Sequence, residues 1–171
     1  MFHALSQIQR NGQSLTRRLK QQLYQSLILD YCCVAWCECS VELQNSIEII
    51  QNYGMRLILD RPPLTLSPVS RDVLKWDILR NRRRRFRLQM VQRCAHKYAP
   101  EYVNNRLNTN ASLGCPCKRG YSKLNLNQLW CDQYKRSFEY MGSKDWNSLP
   151  DSIQSVKSSK SFKLAIRQEC W

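Results

Sequence analysis

Apolar residues along this chain recur every three to four positions, the period of an amphipathic α-helix, whereas the alternation typical of a β-strand is nearly absent. From Ser14 to about Trp36 the repeat is every four residues, at Leu15, Leu19, Leu23, Leu27 and Tyr31. A second helix is predicted after Ser40, a favourable N-cap residue, and it ends near Asp60 because two prolines follow. Gly54, on the apolar stripe of this helix, indicates that another backbone packs closely there.

The rest of the chain continues the helical pattern with one interruption. Ser67–Pro68 begins a third helix, and a long arginine-rich helix follows and runs to Pro100. Residues 108–133 lack periodicity and predict a loop or linker, whereas residues 134–171 form a C-terminal helical segment. We therefore predict a mostly α fold: an irregular bundle of about five to seven helices, with a flexible N-terminus at 1–13 and one long loop that can hold a short β-hairpin.

The segment from Asp77 to Met90 places six arginines within eight positions. On a helical wheel at about 100° per residue, with Phe86 marking the core side, Arg83 and Arg87 fall at about 60° and 100°, and the other arginines surround the helix. A solvated face requires charged residues to be separated from apolar ones, and this run lacks that separation. Few acidic residues lie nearby in sequence, so we interpret the arginines as a site for an external polyanion, whose phosphates match the planar guanidinium group.

The overall charge agrees with this interpretation. The chain has 27 Lys and Arg against 13 Asp and Glu, a net charge of +14, and such a field attracts polyanions. The predicted nucleic-acid-binding residues are Arg80, Arg82, Arg83, Arg84, Arg85, Arg87 and Arg93, with Trp76 as a ring on which bases stack. The alternative is a basic protein whose arginine helix is inert.

Membrane and export signals are absent from the sequence. No segment approaches the roughly 20 consecutive apolar residues of a spanning helix. The N-terminus also lacks the basic start and apolar centre of a secretory signal. We therefore expect no membrane partner and an intracellular location, in the nucleus or the cytoplasm.

The sequence offers little for catalysis. Nine cysteines are present, but only Cys33 and Cys37 have a spacing near that of zinc ligands, and no histidine pair accompanies them. Nucleotidyl transfer with two metal ions requires clustered carboxylates, as in a YxDD motif, and no two acidic residues are adjacent here. We therefore predict no metal site, no cofactor and no catalysis by this chain alone.

Six blocks of sequence, taken in order, carry a resemblance to a known family. They are LYQSLILDYCCVAW (23–36), LQNSIEIIQNYGMRLIL (43–59), LKWDILRNRR (74–83), MVQRCAHKYAPEYV (90–103), YKRSFEYMGSKDWNSLPDSI (134–153) and SSKSFKLAI (158–166). This series resembles the region that follows the polymerase core in reverse transcriptases of non-LTR (LINE, jockey-like) retrotransposons. The resemblance implies that residues 14–107 are a thumb-like region, with the polybasic helix, that holds template RNA and primer. It implies core positions at Tyr31, Trp36, Trp76, Trp146 and Phe162, to which the helical pattern adds Gly54 and Phe86.

These observations predict a non-catalytic C-terminal fragment of a retrotransposon RNA-directed DNA polymerase. The fragment is expected to bind template or primer through its polybasic helix, with RNA or an RNA–DNA hybrid favoured. The missing polymerase palm is a second expected partner. Two alternatives stay open: a host-derived RNA-binding or protein-interaction adaptor, and an eroded element remnant without function.

Overall fold

The computed structural model describes residues 2–12, 14–30, 33, 39–62, 65–109, 123–126 and 131–169. These residues are mostly helical, so the predicted fold class is confirmed. The chain divides into two compact units, residues 1–79 and residues 80–171, and this boundary falls inside the region 14–107 that the sequence treats as one. Within the described ranges, no helix is both long and apolar enough to cross a lipid bilayer.

The described part of the first unit consists of α1 (Phe2–Arg10), α2 (Arg17–Tyr24), α3 (Val41–Ile58) and α4 (Ser67–Leu74). Helix α2 continues directly into a π-helical turn at Gln25–Leu29. Thr16 caps α2 by accepting a hydrogen bond from the Leu19 N–H. Ser40 caps α3 in the same way at Leu43, in the position that the sequence predicts.

Tyr24 lies at the centre of the first unit's core and is fully buried. Its ring stacks on Trp76 with 5.8 Å between the ring centroids, and its hydroxyl donates to the Ile50 carbonyl. Gly54 permits this packing because a Cβ at that position would overlap the Tyr24 ring. The close approach expected at Gly54 is therefore present, although its neighbour is a side-chain ring and not another backbone. The remaining core residues are Ile8, Leu29, Met55, Ile58, Leu74 and Leu79.

The second unit is built around α5 (Leu79–Ala95), whose first residue is the last of the first unit. Its other described helices are α6 (Glu101–Asn104), α7 (Asp132–Lys135), α8 (Phe138–Asn147), α9 (Asp151–Gln154) and α10 (Ser159–Glu169). Val91 on α5 packs against Gly142 on α8, where a Cβ would lie only 2.9 Å from the valine Cγ2. Trp146 and Phe162 are buried together, with 5.8 Å between their ring centroids.

Several elements differ from the sequence pattern or lie beyond the described residues. A flexible N-terminus is predicted at 1–13, but α1 forms there, and Ile8 is buried in the core of the first unit. The described ranges contain ten α-helices instead of five to seven, because α6, α7 and α9 are additional single turns. Of the predicted loop at 108–133, an isolated antiparallel bridge between Thr109 and Leu124 is described. Residues 110–122, which the predicted hairpin requires, are outside the described ranges, as are Tyr31 and Trp36.

Candidate functional site

The arginine-rich helix α5 buries a different face from the one predicted around Phe86. Phe86 is only half-buried, whereas Leu88 and Val91 are fully buried. The buried positions centre on Arg87 and Val91, which lie about 100° and 140° from Phe86 on the helical wheel. The sequence does not reveal this face because Arg83, Arg84 and Arg87 interrupt the apolar side of α5, so that no continuous apolar stripe forms.

Arg87 occupies the buried face of α5 because Asp145, in the last turn of α8, neutralises its charge. The Arg87 Nε lies 2.8 Å from the Asp145 Oδ2, and the Arg87 Nη2 binds the same oxygen. The two side chains are only 5% and 14% exposed. Burial of an unpaired guanidinium is strongly unfavourable, and charge-assisted hydrogen bonds to a carboxylate offset that cost. Arg87 was a predicted phosphate ligand, but its position makes it a structural residue of the second unit.

Arg84, three residues before Arg87 on α5, binds the same carboxylate. Its Nε lies 3.5 Å from the Asp145 Oδ1, and its Nη2 donates to the Ser148 Oγ at 3.1 Å. Ser148 is the C-cap residue of α8, so Asp145 lies at the end of a helix whose dipole disfavours negative charge. The two guanidinium groups therefore compensate Asp145 and fix α8 against α5.

The arginines in the middle of the run also interact within the protein. The Arg82 Cζ lies 5.8 Å from the centroid of the Phe86 ring, a cation–π arrangement. Arg83 is buried and Arg85 is half-buried. Arg82, Arg83 and Arg85 all take part in further interactions within the chain. The guanidinium groups thus surround α5 as the wheel predicts, but several of them serve the protein's own packing.

Arg80 and Arg93, near the two ends of α5, are the exposed members of the predicted set. They are 13 positions apart on the helix, so their backbones lie about 20 Å apart along the axis. A polyanion approaching the second unit therefore meets these two side chains more readily than those of Arg83 and Arg87.

Trp76 is not available for base stacking. Its ring is buried in the first unit against Tyr24. A nucleobase needs an open ring face, so Trp76 occupies the core position that the family resemblance implies and not the binding position proposed for it. In the second unit, Tyr98 and Tyr102 are both well exposed.

Positive charge is concentrated in the second unit. Residues 80–171 contain 19 Lys and Arg against six Asp and Glu, whereas residues 1–79 contain eight against seven. The second unit thus has a net charge of +13 and the first a net charge of +1. The field that attracts polyanions consequently originates almost entirely from the second unit.

A second cationic surface lies on α10, and the sequence interpretation did not include it. Lys160, Lys163 and Arg167 are exposed and fall within about 60° of one another on the helical wheel. Phe162 and Ile166 on the same helix are fully buried, which fixes the orientation of α10. The spacing of three and four residues between the cations was the signal that could have identified this surface.

The described residues contain no cluster of three or more His, Cys, Asp or Glu side chains arranged to hold a metal ion. Four cysteines in these ranges have free thiols: Cys33, Cys39, Cys94 and Cys131. Burial raises the pKa of the Cys94 thiol, and the nearby Arg93 partly opposes this shift. The buried thiol is therefore held in its neutral form.

Comparisons with known proteins do not identify this chain: no family model, curated protein or solved structure matches it.

Proposed function

We propose that this chain is a non-catalytic, nucleic-acid-binding part of a retrotransposon reverse transcriptase, located after the polymerase palm. In this proposal the chain binds template or primer through contacts with phosphates. RNA or an RNA–DNA hybrid is the favoured ligand.

The observation that carries the proposal is the net charge of +13 on the second unit. Non-specific affinity for nucleic acid comes mainly from Lys and Arg side chains that displace counterions from phosphates. The exposed side chains best placed for this are Arg80 and Arg93 on α5 and the cations of α10. Arg87 contributes indirectly, because it fixes the packing of α5 against α8 through Asp145.

The polymerase origin is supported by the ordered blocks that resemble the non-LTR family, from 23–36 to 158–166. The same resemblance implies that the missing palm is a partner. In this proposal the chain supplies binding and positioning, while the metal-binding carboxylates belong to the palm.

An adaptor function is the second candidate. Several large apolar side chains on α3 are exposed, among them Val41, Leu43 and Ile49, and exposed apolar groups favour a protein partner. A host-derived adaptor would bind a protein through exposed apolar side chains of this kind, with or without RNA. An eroded remnant would bind neither and would unfold without cooperativity.

Binding of single-stranded RNA, single-stranded DNA and an RNA–DNA hybrid of equal length, measured by fluorescence anisotropy over a salt series, tests the proposal. The logarithm of the binding constant should fall linearly with the logarithm of salt concentration, by about 0.7 per neutralised phosphate on a single strand. Circular dichroism and urea unfolding establish that the chain is folded in the same buffer. A folded chain that binds none of the three ligands at low salt would leave the adaptor as the better proposal.

A further inference from the structure

An apolar pocket in the second unit lies beside α6, α7 and α8. It has a volume of about 440 Å³, and it is lined by Tyr102, Val103, Arg106, Tyr134, Phe138 and Glu139. This volume lies within the roughly 300–1,000 Å³ usual for small-molecule pockets. Three aromatic rings thus line one concave site on the strongly cationic unit of the chain.

The walls of this pocket differ in how closely they pack against the rest of the second unit. Phe138 packs against the core of the second unit, and Tyr134 makes an edge-on contact with Tyr140 at 6.0 Å between ring centroids. These contacts hold one side of the pocket in place. Tyr102 is 75% exposed, so its ring is accessible to a flat ligand. The arrangement can therefore hold a planar group against aromatic surface.

The two charged residues of the pocket form an ion pair. The Arg106 Nη1 is 3.3 Å from the Glu139 Oε1, and the arginine side chain is 68% exposed. The pair neutralises Glu139, so the carboxylate does not repel an anion approaching the pocket. The exposed guanidinium is available at the same time to solvent and to a phosphate.

We propose that this pocket accepts an unpaired nucleobase of a bound single strand. The inference rests on the proposed function, since the charge of the second unit selects a polyanionic ligand. Among polyanions, a nucleic acid also carries flat π-systems that stack on tyrosine and phenylalanine, and stacking of this kind depends little on sequence. The pocket, rather than Trp76, then supplies the aromatic contact that accompanies the phosphate contacts.

The first test compares a thymidine oligomer with an abasic oligomer of the same length by fluorescence anisotropy. The base-bearing oligomer should bind about tenfold more tightly to the native chain, as expected for one stacked base. The ratio should persist as salt increases, because stacking is neutral whereas both absolute affinities fall. Tyr102→Ala should abolish the ratio. Tyr98→Ala, which removes an exposed tyrosine that does not line the pocket, should leave it unchanged.

Failure of this inference is distinguishable from failure of the proposed function. Equal affinity for the two oligomers, or a ratio that Tyr102→Ala leaves intact, overturns the pocket while phosphate binding stands. If neither oligomer binds, the proposed function fails. A titration with adenosine, followed by NMR of the aromatic resonances, then tests separately whether the pocket binds a nucleobase. Shifts that Tyr102→Ala removes support a base site. An absence of shifts overturns it, and so does a response to N-acetyltryptophanamide alone, which would indicate a protein side chain as the occupant.

Discussion

The Asp145 carboxylate receives a hydrogen bond from the Arg87 Nε at 2.8 Å, across 58 residues of sequence. This ion pair lies on the buried side of α5, beside Val91 and the other apolar residues of the second unit. The most charged helix of the chain therefore packs into a core through one of its own arginines. Part of the positive charge that suggests a ligand surface therefore stabilises the packing of the second unit instead.

Asp145→Asn tests this structural function. The amide keeps the shape of the carboxylate but removes the negative charge that the buried Arg87 guanidinium binds. Breaking a buried pair by removing one partner costs about 3–5 kcal/mol, so we expect a loss of about 3 kcal/mol in the free energy of unfolding. Urea unfolding followed by circular dichroism measures the change.

Asp132→Asn provides the matched control for Asp145→Asn. Asp132 pairs with Lys135 at 3.5 Å on α7, and both side chains are exposed. Exposed pairs contribute less than about 1 kcal/mol, so this variant should unfold close to the native midpoint. Equal effects of the two substitutions would mean that burial does not set the strength of the Arg87–Asp145 pair.

Gly54→Ala should destabilise the first unit, although alanine is the better helix former. A Cβ at position 54 would overlap the Tyr24 ring. The ring cannot move easily because it is stacked on Trp76 and its hydroxyl is hydrogen-bonded to the Ile50 carbonyl. Overpacking of a core costs about 1–3 kcal/mol, which exceeds the helix-propensity gain of about 1 kcal/mol. Ser46→Ala, on an exposed position of the same helix, should change the free energy of unfolding by less than about 0.5 kcal/mol.

The contrast between Gly54 and Phe86 shows what the sequence could and could not predict. Gly54 lies on a clear apolar stripe, so a missing side chain there indicates a close neighbour. Helix α5 has no such stripe, and its buried face depends on Asp145, which is distant in sequence and cannot be recognised from local periodicity. The wheel placed Arg83 and Arg87 near the core side, where they are buried, but the assignment of Arg87 to an external anion did not foresee the internal carboxylate.

The same limit applies to the aromatic residues. Trp76 is followed by the arginine run, which suggested a stacking role, yet its ring packs against Tyr24 from a separate helix. Tyr102 and Phe138 line one pocket although 36 positions separate them, and no short-range pattern brings them together. The cationic surface of α10 could have been predicted from the sequence, because its residues recur at helical spacing within one short segment.

The stability of the first unit should decrease at alkaline pH through Tyr24. Burial raises the pKa of this phenol above its ordinary value of about 10, because the phenolate is poorly solvated in the core. The folded state therefore keeps the proton where the unfolded state loses it. The contribution of the Tyr24 phenol to the free energy of unfolding is fully present below pH about 10. It is lost progressively as the pH rises further, by at most about 1.4 kcal/mol per pH unit. Urea unfolding between pH 8 and 11 of the native chain and of Tyr24→Phe measures it, and the two curves should converge as the pH rises.

The phosphate-binding surface is predicted to lie on exposed cations of the second unit, and salt dependence separates it from the buried arginines. The double variant Arg80→Ala/Arg93→Ala should weaken RNA binding and reduce the salt slope by about 1.4, since each phosphate that is no longer neutralised lowers the slope by about 0.7. Lys160→Ala/Lys163→Ala on α10 should act in the same way, and neither variant should alter the urea midpoint because the four side chains are exposed. Arg17→Ala/Arg18→Ala removes two exposed charges from the first unit, so it should leave the slope unchanged. If all three double variants lowered the slope equally, net charge alone would determine binding, and no surface of the second unit would be selected over the rest of the chain.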